Sequence, residues 1–385
     1  MDEFITRPSP RIAFGSGMLA KLPEFVRDIG SVHPLLVTDR GIRSAGHLDR
    51  ALSALKEAGI EVSVFDDVQE NPTNSCISAC MKFAAEAGID SFIGMGGGSS
   101  MDTAKGCNFL LTNGGEMKDY HGYGKADKPM LPFIAIPTTS GTGSECQSYA
   151  LVSDDATHVK MACGDSKALA SIALLDPELT ASQPRRIAIL TGLDALAHAV
   201  ETAVCLPRNL ISKIHSMEAF RLMASSIESV IAGDAQFLDR SNMQMGAALA
   251  GLAIENSMLG AAHACANPLT AYYDVTHGHA VAIMLPHVIR FNRNNAAANE
   301  IYQSYEKWIP GNEQENVDMA DWFESLIDAA GLSNLSALGA AESDVSKLAE
   351  AATQQWTGRF NPRSVGQEEF EGLYRNALER VAESA

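Results

Sequence analysis

Short apolar runs bounded by turn residues recur through the first part of the chain. They lie at 34–39, 61–65, 91–95 and 132–137. The segments between them, at 46–58, 74–87 and 100–112, space their apolar residues like one face of a helix. Buried strands that alternate with helices are typical of a parallel sheet covered by helices. Two more runs, at 148–152 and 171–175, predict further strands that could be antiparallel additions to the sheet.

The pattern changes after about residue 178. Glycine and proline become rarer, alanine, leucine and methionine become more frequent, and the apolar spacing stays helical almost to the end. A chain of 385 residues is also too long for one ordinary hydrophobic core. We therefore predict an α/β domain over residues 1–180 and an all-helical domain over residues 181–385, with the boundary in the proline-bracketed turn at 176–184.

Composition and charge narrow the class of protein. Hydrophobic residues make up 46% of the chain and charged residues 20%, which is typical of a folded globular protein. The net charge of −18 argues against nucleic acid or an anionic membrane as a partner. Seven cysteines without a C-x-x-C pair fit free thiols in a reducing compartment. Because neither a secretory signal nor an apolar run of roughly 18 residues is found, we expect a cytoplasmic protein.

Three segments of the predicted helical domain carry the residues of a candidate metal site. Asp194 and His198 stand four residues apart in T-G-L-D-A-L-A-H, which puts both side chains on one helical face. His263 and His277 lie farther along, among small and apolar residues. An ionised aspartate in such surroundings is costly unless a positive charge compensates it, and a divalent cation held by one carboxylate and three imidazoles would do so. The alternatives are a helix-capping aspartate and structural, buried histidines.

A glycine-rich segment, G-M-G-G-G-S-S at 94–100, follows a predicted strand and leads into a predicted helix. Glycines let the backbone approach a ligand closely, and the free N–H groups at a helix start suit a pyrophosphate. The alternative is a tight strand-to-helix turn without a ligand. A second small-residue segment, at 138–145, also follows a strand, and its hydroxyls could contact phosphate or nicotinamide.

Asp39 ends the first predicted strand. A carboxylate at this place in a dinucleotide site can accept hydrogen bonds from an adenosine ribose and repel a 2′-phosphate. The alternative is a turn-forming aspartate before Gly41.

These segments together resemble the iron-dependent (group III) alcohol dehydrogenases. The matching motifs extend over nearly the whole chain: F-G-S-G from Phe14, N-P-T from Asn71, G-G-G-S-x-x-D-x-A-K from Gly96, P-T-T-S-G-T-G-S-E from Pro137, D-P-E-L from Asp176, G-L-D-A-L-A-H-A-V-E from Gly192, and H-G-x-A with L-P-H-V from His277 onward. The resemblance implies a dehydroquinate-synthase-like fold, with an α/β NAD-binding domain followed by an all-helical domain for metal and substrate.

The resemblance also implies which residues form the sites. The implied metal ligands are Asp194, His198, His263 and His277, with Fe²⁺ expected and Zn²⁺ or Mn²⁺ as alternatives. The implied cofactor-binding residues are Asp39, Asn71, Gly96, Gly97, Gly98, Ser99, Asp102, Thr138, Thr139, Thr142, Lys160 and Leu179. Asp39 would favour NAD over NADP.

The implied activity is hydride transfer between NAD(H) and a small alcohol or aldehyde that the metal polarises. Arg359, near the C-terminal N-P-R turn, would suit an anionic substrate. We expect a homodimer or a higher homo-oligomer. The alternatives are a zinc-dependent relative of the same fold such as a glycerol dehydrogenase, a metal-dependent phosphate-ester hydrolase, and a non-enzymatic metal-binding scaffold.

One position departs from the family pattern. Many members carry a second histidine four residues after the first in an H-x-x-x-H-P-L segment, where this chain has Asn267. That histidine is thought to help relay the substrate proton, and asparagine cannot titrate. The relay must therefore run differently here. His279, two residues after His277, could take its place or could be an ordinary buried or surface histidine.

Overall fold

The computed structural model of the protein describes residues 3–155, 160–312 and 316–379. Contacts divide the described chain at Gln183 and Pro184. Residues 7–183 form one unit, called the α/β unit below, and residues 184–379 together with residues 3–6 form the other, called the helical unit. Each unit has apolar core clusters of its own.

The described part of the α/β unit contains nine strands. They are β1 (Arg11–Phe14), β2 (Pro34–Val37), β3 (Ser63–Phe65), β4 (Ser91–Gly96), β5 (Gly122–Tyr123), β6 (Phe133–Pro137), β7 (Tyr149–Ser153), β8 (Lys160–Gly164) and β9 (Ile172–Leu175). Six of these strands pair in parallel as one sheet, in the order β1-β9-β6-β4-β2-β3. The other three form a small sheet, in which β7 runs antiparallel to β8.

The strand at the end of this unit corrects a prediction. Because β9 lies between β1 and β6 and is parallel to both, the idea of an antiparallel addition at 171–175 is wrong. An antiparallel strand is found at the other predicted run, 148–152, where β7 runs antiparallel to β8. That strand belongs to the small sheet and not to the parallel one. Strand direction here depends on partners far along the chain, which a local pattern does not reveal. The strands β1, β5 and β8 were not predicted, and β1 shows only exposed and half-buried positions.

Helices cover both faces of the parallel sheet. They are α1 (Leu22–Asp28), α2 (Arg40–Ser44), α3 (His47–Glu57), α4 (Asn74–Ala87) and α5 (Gly98–Asn113). Neighbouring strand residues point to opposite faces, as the alternation of a strand requires. Leu36 packs in the same core cluster as residues of α1 and α3, whereas Leu35 and Val37 pack with residues of α4 and α5. This burial on both faces explains the continuous apolar runs of the central strands.

The helical unit consists of ten helices in its described part. They are α6 (Arg185–Val204), α7 (Leu210–Ala224), α8 (Ile227–Ala232), α9 (Phe237–Glu255), α10 (Ala261–Tyr273), α11 (His277–Asn292), α12 (Ala296–Glu306), α13 (Met319–Ala329), α14 (Val345–Thr353) and α15 (Gln367–Glu379). An α/β unit followed by an all-helical unit confirms the predicted fold class.

Helix α6 packs against α7, α9 and α11 in this unit. Among the described residues it alone is long and apolar enough to cross a membrane, but 83% of the relevant stretch is buried inside the unit. Such burial is typical of a core helix in a soluble protein. The seven cysteines of the chain are all buried and free. Their state agrees with the expectation of free thiols.

Candidate active site

Three helices of the helical unit bring the predicted metal ligands together. Asp194 and His198 lie on α6, His263 lies in the first turn of α10, and His277 is the first residue of α11. The Oδ1 atom of Asp194 lies 3.6 Å from Nε2 of His198, 3.5 Å from Nε2 of His263 and 3.8 Å from Nε2 of His277. Three imidazole nitrogens therefore surround a single carboxylate oxygen.

The cluster has the properties of a cation site. Asp194 is 5% exposed and His263 is 4% exposed, and neither Asp194 Oδ1 nor His263 Nε2 makes a hydrogen bond to any described residue. Buried polar atoms are normally paired, so these atoms indicate a missing partner. The candidate donor atoms of Asp194, His263 and His277 lie within 4.8 Å of one another. One carboxylate and three imidazoles fit Fe²⁺, Zn²⁺ or Mn²⁺ by donor type.

The electrostatics of the cluster agree with this assignment. Burial alone would raise the pKa of Asp194, but the neighbouring imidazoles, His198 foremost, hold it well below its usual value. Burial alone would lower the pKa of His263, but the carboxylates of Glu201 and Asp194 raise it to about 9. The cluster thus keeps its aspartate ionised and attracts positive charge. A divalent cation can supply that charge when it replaces the protons.

A glycine permits the approach of the helix that carries His277. A Cβ atom on Gly278 would overlap the carbonyl oxygen of Leu190 in α6 and would lie 3.5 Å from Cβ of Asp194. Only a residue without a side chain therefore lets the start of α11 lie against α6 at this point. Because of this close contact, His277 reaches Asp194.

The sequence prediction missed Glu201. This residue lies on α6 and is 3% exposed. Its Oε2 atom is hydrogen-bonded to Nδ1 of His263, and its Oε1 atom accepts a hydrogen bond of 2.7 Å from the backbone N–H of Ala262. A signal was present, because positions 194, 198 and 201 follow the i, i+4, i+7 spacing of one helical face.

In the α/β unit, the glycine-rich segment joins β4 to α5. Gly96 ends β4 with a φ of +148°, and a Cβ atom there would collide with Oγ of Ser100. A Cβ atom on Gly98 would lie 2.9 Å from Cγ2 of Thr142. The segment is thus a tight loop that needs glycine at positions 96 and 98, at the start of a helix of 16 residues. The free N–H groups of that helix start would favour a phosphate.

Several predicted cofactor residues surround this loop. The N–H of Thr138 donates to the carbonyl of Gly96 at 3.0 Å, and a Cβ atom on Gly97 would be 3.5 Å from Thr139. The backbone N–H of Asn71 donates to Oγ of Ser99 at 3.2 Å. Asn71 has a positive φ of +51°. The sequence-predicted residues of three separate segments are therefore neighbours in this unit.

Asp39 fills one of the two roles that the sequence left open, the cap of a helix, and its second carboxylate oxygen lies near the glycine loop. Its Oδ1 atom accepts a hydrogen bond of 3.0 Å from the N–H of Ile42 and so caps α2. Its Oδ2 atom faces the glycine loop, because a Cβ atom on Gly96 would lie 3.4 Å from it. The carboxylate is thus placed where it can meet a ribose bound beside the loop.

The remaining predicted cofactor residues lie in different surroundings. Asp102 is on α5 and accepts a hydrogen bond of 3.1 Å from Oγ of Ser144. Burial raises the pKa of Asp102 to about 6, against the opposing charges of Lys105 and Lys160. Leu179, in contrast, is fully buried in the apolar core of the unit. Its side chain contacts protein, so a ligand could meet only its backbone.

A buried lysine holds the segment that follows Thr142. Lys105 is 1% exposed, and its Nζ atom donates to the carbonyls of Ser144, Gln147 and Tyr149 at 2.6–3.0 Å. Glu145 is buried beside it, and burial raises the pKa of Glu145 to about 7. Lys105 and Glu145 both lie within family motifs of the sequence, but neither residue by itself gave a sequence signal for this contact.

The two candidate relay residues make contacts with distant parts of the helical unit. Nδ2 of Asn267 donates to Oε1 of Gln355 at 2.9 Å. Nε2 of His279 lies 2.8 Å from the carbonyl oxygen of Ser333, to which it donates, and burial lowers the pKa of this imidazole. His279 is 3% exposed. These contacts favour structural roles for both side chains.

The predicted anion-binding residue, Arg359, is exposed. Its guanidinium carbon lies 4.6 Å from the ring centre of Phe360 and 5.9 Å from that of Trp356. The arginine therefore stacks on aromatic rings at the surface of the helical unit.

The geometry gives a candidate metal site and a candidate phosphate-binding loop, and two family models identify the class of protein. The model for iron-containing alcohol dehydrogenases matches residues 9–177, and the model for the C-terminal part of the Fe-containing alcohol dehydrogenase family matches residues 188–378. The chain therefore belongs to the iron-containing alcohol dehydrogenase family.

Known proteins of the same kind are similar over almost the whole length. Alcohol dehydrogenase 4 of Schizosaccharomyces pombe is 33% identical over 367 residues, which is 95% of this chain and 87% of that protein. A crystal structure of 1,3-propanediol oxidoreductase has a TM-score of 0.92 at 31% identity and covers 97% of this chain and 100% of that one. Sulfoacetaldehyde reductase from Bifidobacterium kashiwanohense, solved in complex with NAD⁺, has a TM-score of 0.88 at 26% identity and covers 98% and 100%.

These findings confirm the predicted family, the dehydroquinate-synthase-like fold class and the reaction class of a metal-dependent alcohol dehydrogenase. The predicted pair of NAD(H) and a divalent metal agrees with the family and with the NAD⁺ complex of one neighbour. Other curated relatives are named for 1,3-propanediol, methanol, choline and lactaldehyde. The relatives share a reaction class but differ in the substrates for which they are named.

Proposed function

We propose that this protein transfers hydride between NAD(H) and a small alcohol or aldehyde, with one divalent metal held by Asp194, His198, His263 and His277. The observation that carries this proposal is the buried carboxylate oxygen with three imidazole nitrogens 3.5–3.8 Å away. Two of the buried atoms in this cluster make no hydrogen bond to any described residue, and a metal would satisfy both.

The metal, when bound, would act as a Lewis acid on the substrate oxygen. The chain's own residues provide the ligands and limit the access of water. Asp194 supplies the negative charge, and the imidazoles supply neutral nitrogen donors. The apolar residues of α6, α10 and α11 belong to a single buried core cluster, which limits the access of water to the ligands. Fe²⁺ is the metal that the family name favours, with Zn²⁺ and Mn²⁺ as rivals in the test below.

We assign cofactor binding to the α/β unit. The loop around Gly97 and Gly98 would bind the pyrophosphate, and Asp39 would accept hydrogen bonds from the ribose and so exclude a 2′-phosphate. Asn71, Gly96, Ser99, Asp102, Thr138, Thr139, Thr142, Lys160 and the backbone of Leu179 complete the proposed set. The hydrogen bond between Asn71 and Ser99 and the closeness of Thr142 to Gly98 support this grouping.

The proposed substrate is a short primary alcohol or diol, or the matching aldehyde. The names of the relatives favour this class, because propanediol, methanol and lactaldehyde are all small. An anionic substrate is the second candidate, since a reductase of sulfoacetaldehyde is a structural neighbour. Arg359 is the residue that would recognise it, and its exposed guanidinium is available for an anion.

We propose that a water molecule, together with hydroxyl groups of the cofactor ribose, carries the proton to or from the substrate. The contacts of Asn267 with Gln355 and of His279 with Ser333 support this route, because both side chains already bond to protein. We further propose that the protein is a cytoplasmic homo-oligomer without nucleic-acid or membrane partners. The net charge of −18 supports the absence of nucleic-acid and anionic-membrane partners.

The test begins with protein freed of metal by dialysis against a chelator. Samples receive Fe²⁺, Zn²⁺ or Mn²⁺, then NADH or NADPH, then a panel of short aldehydes, hydroxyaldehydes and sulfonate or phosphonate aldehydes. Oxidation of NADH with one metal and a neutral short aldehyde supports the proposal. Failure with every combination, or hydrolysis of a phosphate ester by the same preparation, would contradict it.

A further inference from the structure

We propose that Glu201 is a positioning residue of the metal site, which holds His263 in the tautomer that presents Nε2 to the metal. This inference rests on the proposed function only in taking Asp194 and His263 as ligands. Glu201 is not itself a candidate ligand, because its two oxygens already face Nδ1 of His263 and the backbone of Ala262.

The hydrogen bond between Glu201 and His263 fixes the position of a proton. A neutral imidazole has one N–H group, and an ionised carboxylate can only accept. With Oε2 of Glu201 against Nδ1 of His263, the proton must lie on Nδ1. The lone pair is then on Nε2, the atom that lies 3.5 Å from Oδ1 of Asp194. The opposite tautomer would set lone pair against lone pair at Nδ1 and point a proton into the metal site.

The second oxygen of Glu201 fixes the helix that carries His263. Oε1 accepts from the N–H of Ala262, in the first turn of α10, where helical N–H groups lack partners within the helix. The positive end of the helix dipole also favours a carboxylate there. One carboxylate on α6 therefore sets both the position of the first turn of α10 and the rotation of the imidazole that this turn carries.

The space for this carboxylate depends on a glycine. A Cβ atom on Gly260 would lie 3.1 Å from Oε1 of Glu201 and 3.1 Å from Oδ1 of Asn361. That separation is tighter than an ordinary carbon–oxygen contact, so a side chain at position 260 would require the Glu201 carboxylate and the Asn361 amide to shift by a few tenths of an ångström. The absence of a side chain at Gly260 thus leaves room for the Glu201 carboxylate beside the first turn of α10.

The informative variant is Glu201→Gln. A glutamine has one oxygen and one NH₂ group, so it can accept from Nδ1–H or from the Ala262 N–H, but not from both. If its oxygen faces Ala262, its NH₂ group faces Nδ1 and selects the wrong tautomer. If its oxygen faces His263, two donors oppose each other at Ala262. Either arrangement should weaken metal binding by about 10–100-fold, the usual effect of losing such an outer partner.

The matched control is Glu255→Gln, which neutralises another buried carboxylate of the same unit, on α9. Zn²⁺ affinity is measured by competition with a chromophoric chelator, and the thermal stability of each metal-free variant is measured in parallel. We expect the affinity of the Glu201 variant to fall by about 10–100-fold relative to both the wild type and the control. Equal affinities for the two variants would overturn the proposal, because Glu201 would then act only as a generic buried carboxylate.

A second measurement needs no substitution at position 201. In ¹⁵N-histidine-labelled wild type loaded with Zn²⁺, the His263 signals are identified by their loss in His263→Gln. We expect a proton on Nδ1 and none on Nε2, and a proton on Nε2 would overturn the proposal. If the wild type binds no Zn²⁺, Fe²⁺ or Mn²⁺ at all, it is the proposed metal site that fails. If the wild type binds metal and Glu201→Gln matches it, only the role of Glu201 fails.

Discussion

The two units build their candidate sites from different parts of the polypeptide. In the α/β unit, the site around Gly97 and Gly98 consists of backbone, glycines and small hydroxyl side chains at the start of α5. In the helical unit, the site consists of long polar side chains that project from α6, α10 and α11. The first site should therefore be damaged by adding atoms, and the second by removing them.

The two sites also differ in how far the protein satisfies its own polar groups. In the α/β unit, Lys105 donates hydrogen bonds to three backbone carbonyls of the 144–149 segment, and the Ser144 hydroxyl donates one to Asp102. In the helical unit, Asp194 and His263 each keep a buried atom without a hydrogen bond to any described residue. Lys105 and Asp102 are thus paired within the protein, whereas Asp194 and His263 keep buried atoms that a cation would satisfy.

Removal of a ligand side chain should have the largest effect. For His263→Ala we expect metal content and turnover to fall by orders of magnitude, while the circular dichroism spectrum stays close to that of the wild type. Metal is measured on purified protein by mass spectrometry. Full metal occupancy with normal turnover would remove His263 from the site. His33→Ala, in the α/β unit, is the control for loss of a histidine away from the cluster.

Neutralising Glu145 should change the dependence of stability on pH. Because burial raises the pKa of Glu145 to about 7 from an ordinary 4.5, the folded state favours the protonated acid. Its contribution to stability is complete below pH 4.5 and is lost as the pH rises through about 7. Glu145→Gln should therefore be more stable than the wild type at pH 8, by at most about 3 kcal/mol, and nearly equal to it at about pH 4.

Denaturant unfolding at the two pH values measures this effect. A gain of equal size at both values would show that ionisation of Glu145 is not the cause.

Adding one methyl group to the loop should impair the cofactor site alone. In Gly98→Ala the new Cβ atom would lie 2.9 Å from Cγ2 of Thr142, so the loop must shift. We expect the Kd for NADH to rise at least about tenfold, which is about 1.4 kcal/mol, with metal content unchanged. Thr142→Ser removes Cγ2 but keeps the hydroxyl, so the double variant should recover part of the affinity. Unchanged NADH binding in Gly98→Ala would place the cofactor elsewhere.

A charge change beside the same loop should alter cofactor choice more than affinity. Asp39→Gly removes the negative charge near Gly96 and should shift the ratio of kcat/KM for NADH over NADPH by about tenfold toward NADPH. The lost cap of α2 should cost only a few tenths of a kcal/mol, because glycine is itself an acceptable cap. If the wild type already uses NADPH better than NADH, the role assigned to Asp39 is wrong.

The relay candidates should show the smallest effects on rate. We expect His279→Ala to keep its metal and to lose less than about 100-fold in turnover, since its imidazole bonds to the Ser333 carbonyl. Asn267→His should change the pH profile of the reaction more than its maximal rate, because it adds a titrating group. A loss above about 100-fold in His279→Ala with full metal content would make His279 the relay residue.

The sequence predicted those features that depend on neighbouring residues. The strands at 34–37, 91–96 and 133–137 were visible because their positions are buried throughout and give unbroken apolar runs. The pairing of β9 with β1 and β6 was not visible, since it depends on residues about 160 and 40 positions away. The edge strand β1 gave no signal because it shows no fully buried position.

In the candidate metal site, too, the sequence revealed features that depend on neighbouring residues and missed those that depend on distant ones. The i, i+4 spacing of Asp194 and His198 is a local signal, and His263 and His277 were candidates because they lie among small and apolar residues. Asn267 contacts Gln355, which is 88 positions away, and His279 contacts Ser333, which is 54 positions away. These contacts favour structural roles over a role in proton relay. Only the folded helices reveal such partners. Glu201 lay within a quoted motif, but its partner His263 is 62 positions away.

The close contact at Gly278 has a consequence for redesign of the metal site. The distance between His277 and Asp194 depends on how near α11 lies to α6, and the backbone oxygen of Leu190 limits that approach. The opening available to a cation is thus a property of two backbones rather than of the ligands alone. Laboratory evolution toward a larger ion should therefore find useful changes in residues that space these helices, such as those flanking Leu190, while the four ligands and Gly278 stay constant.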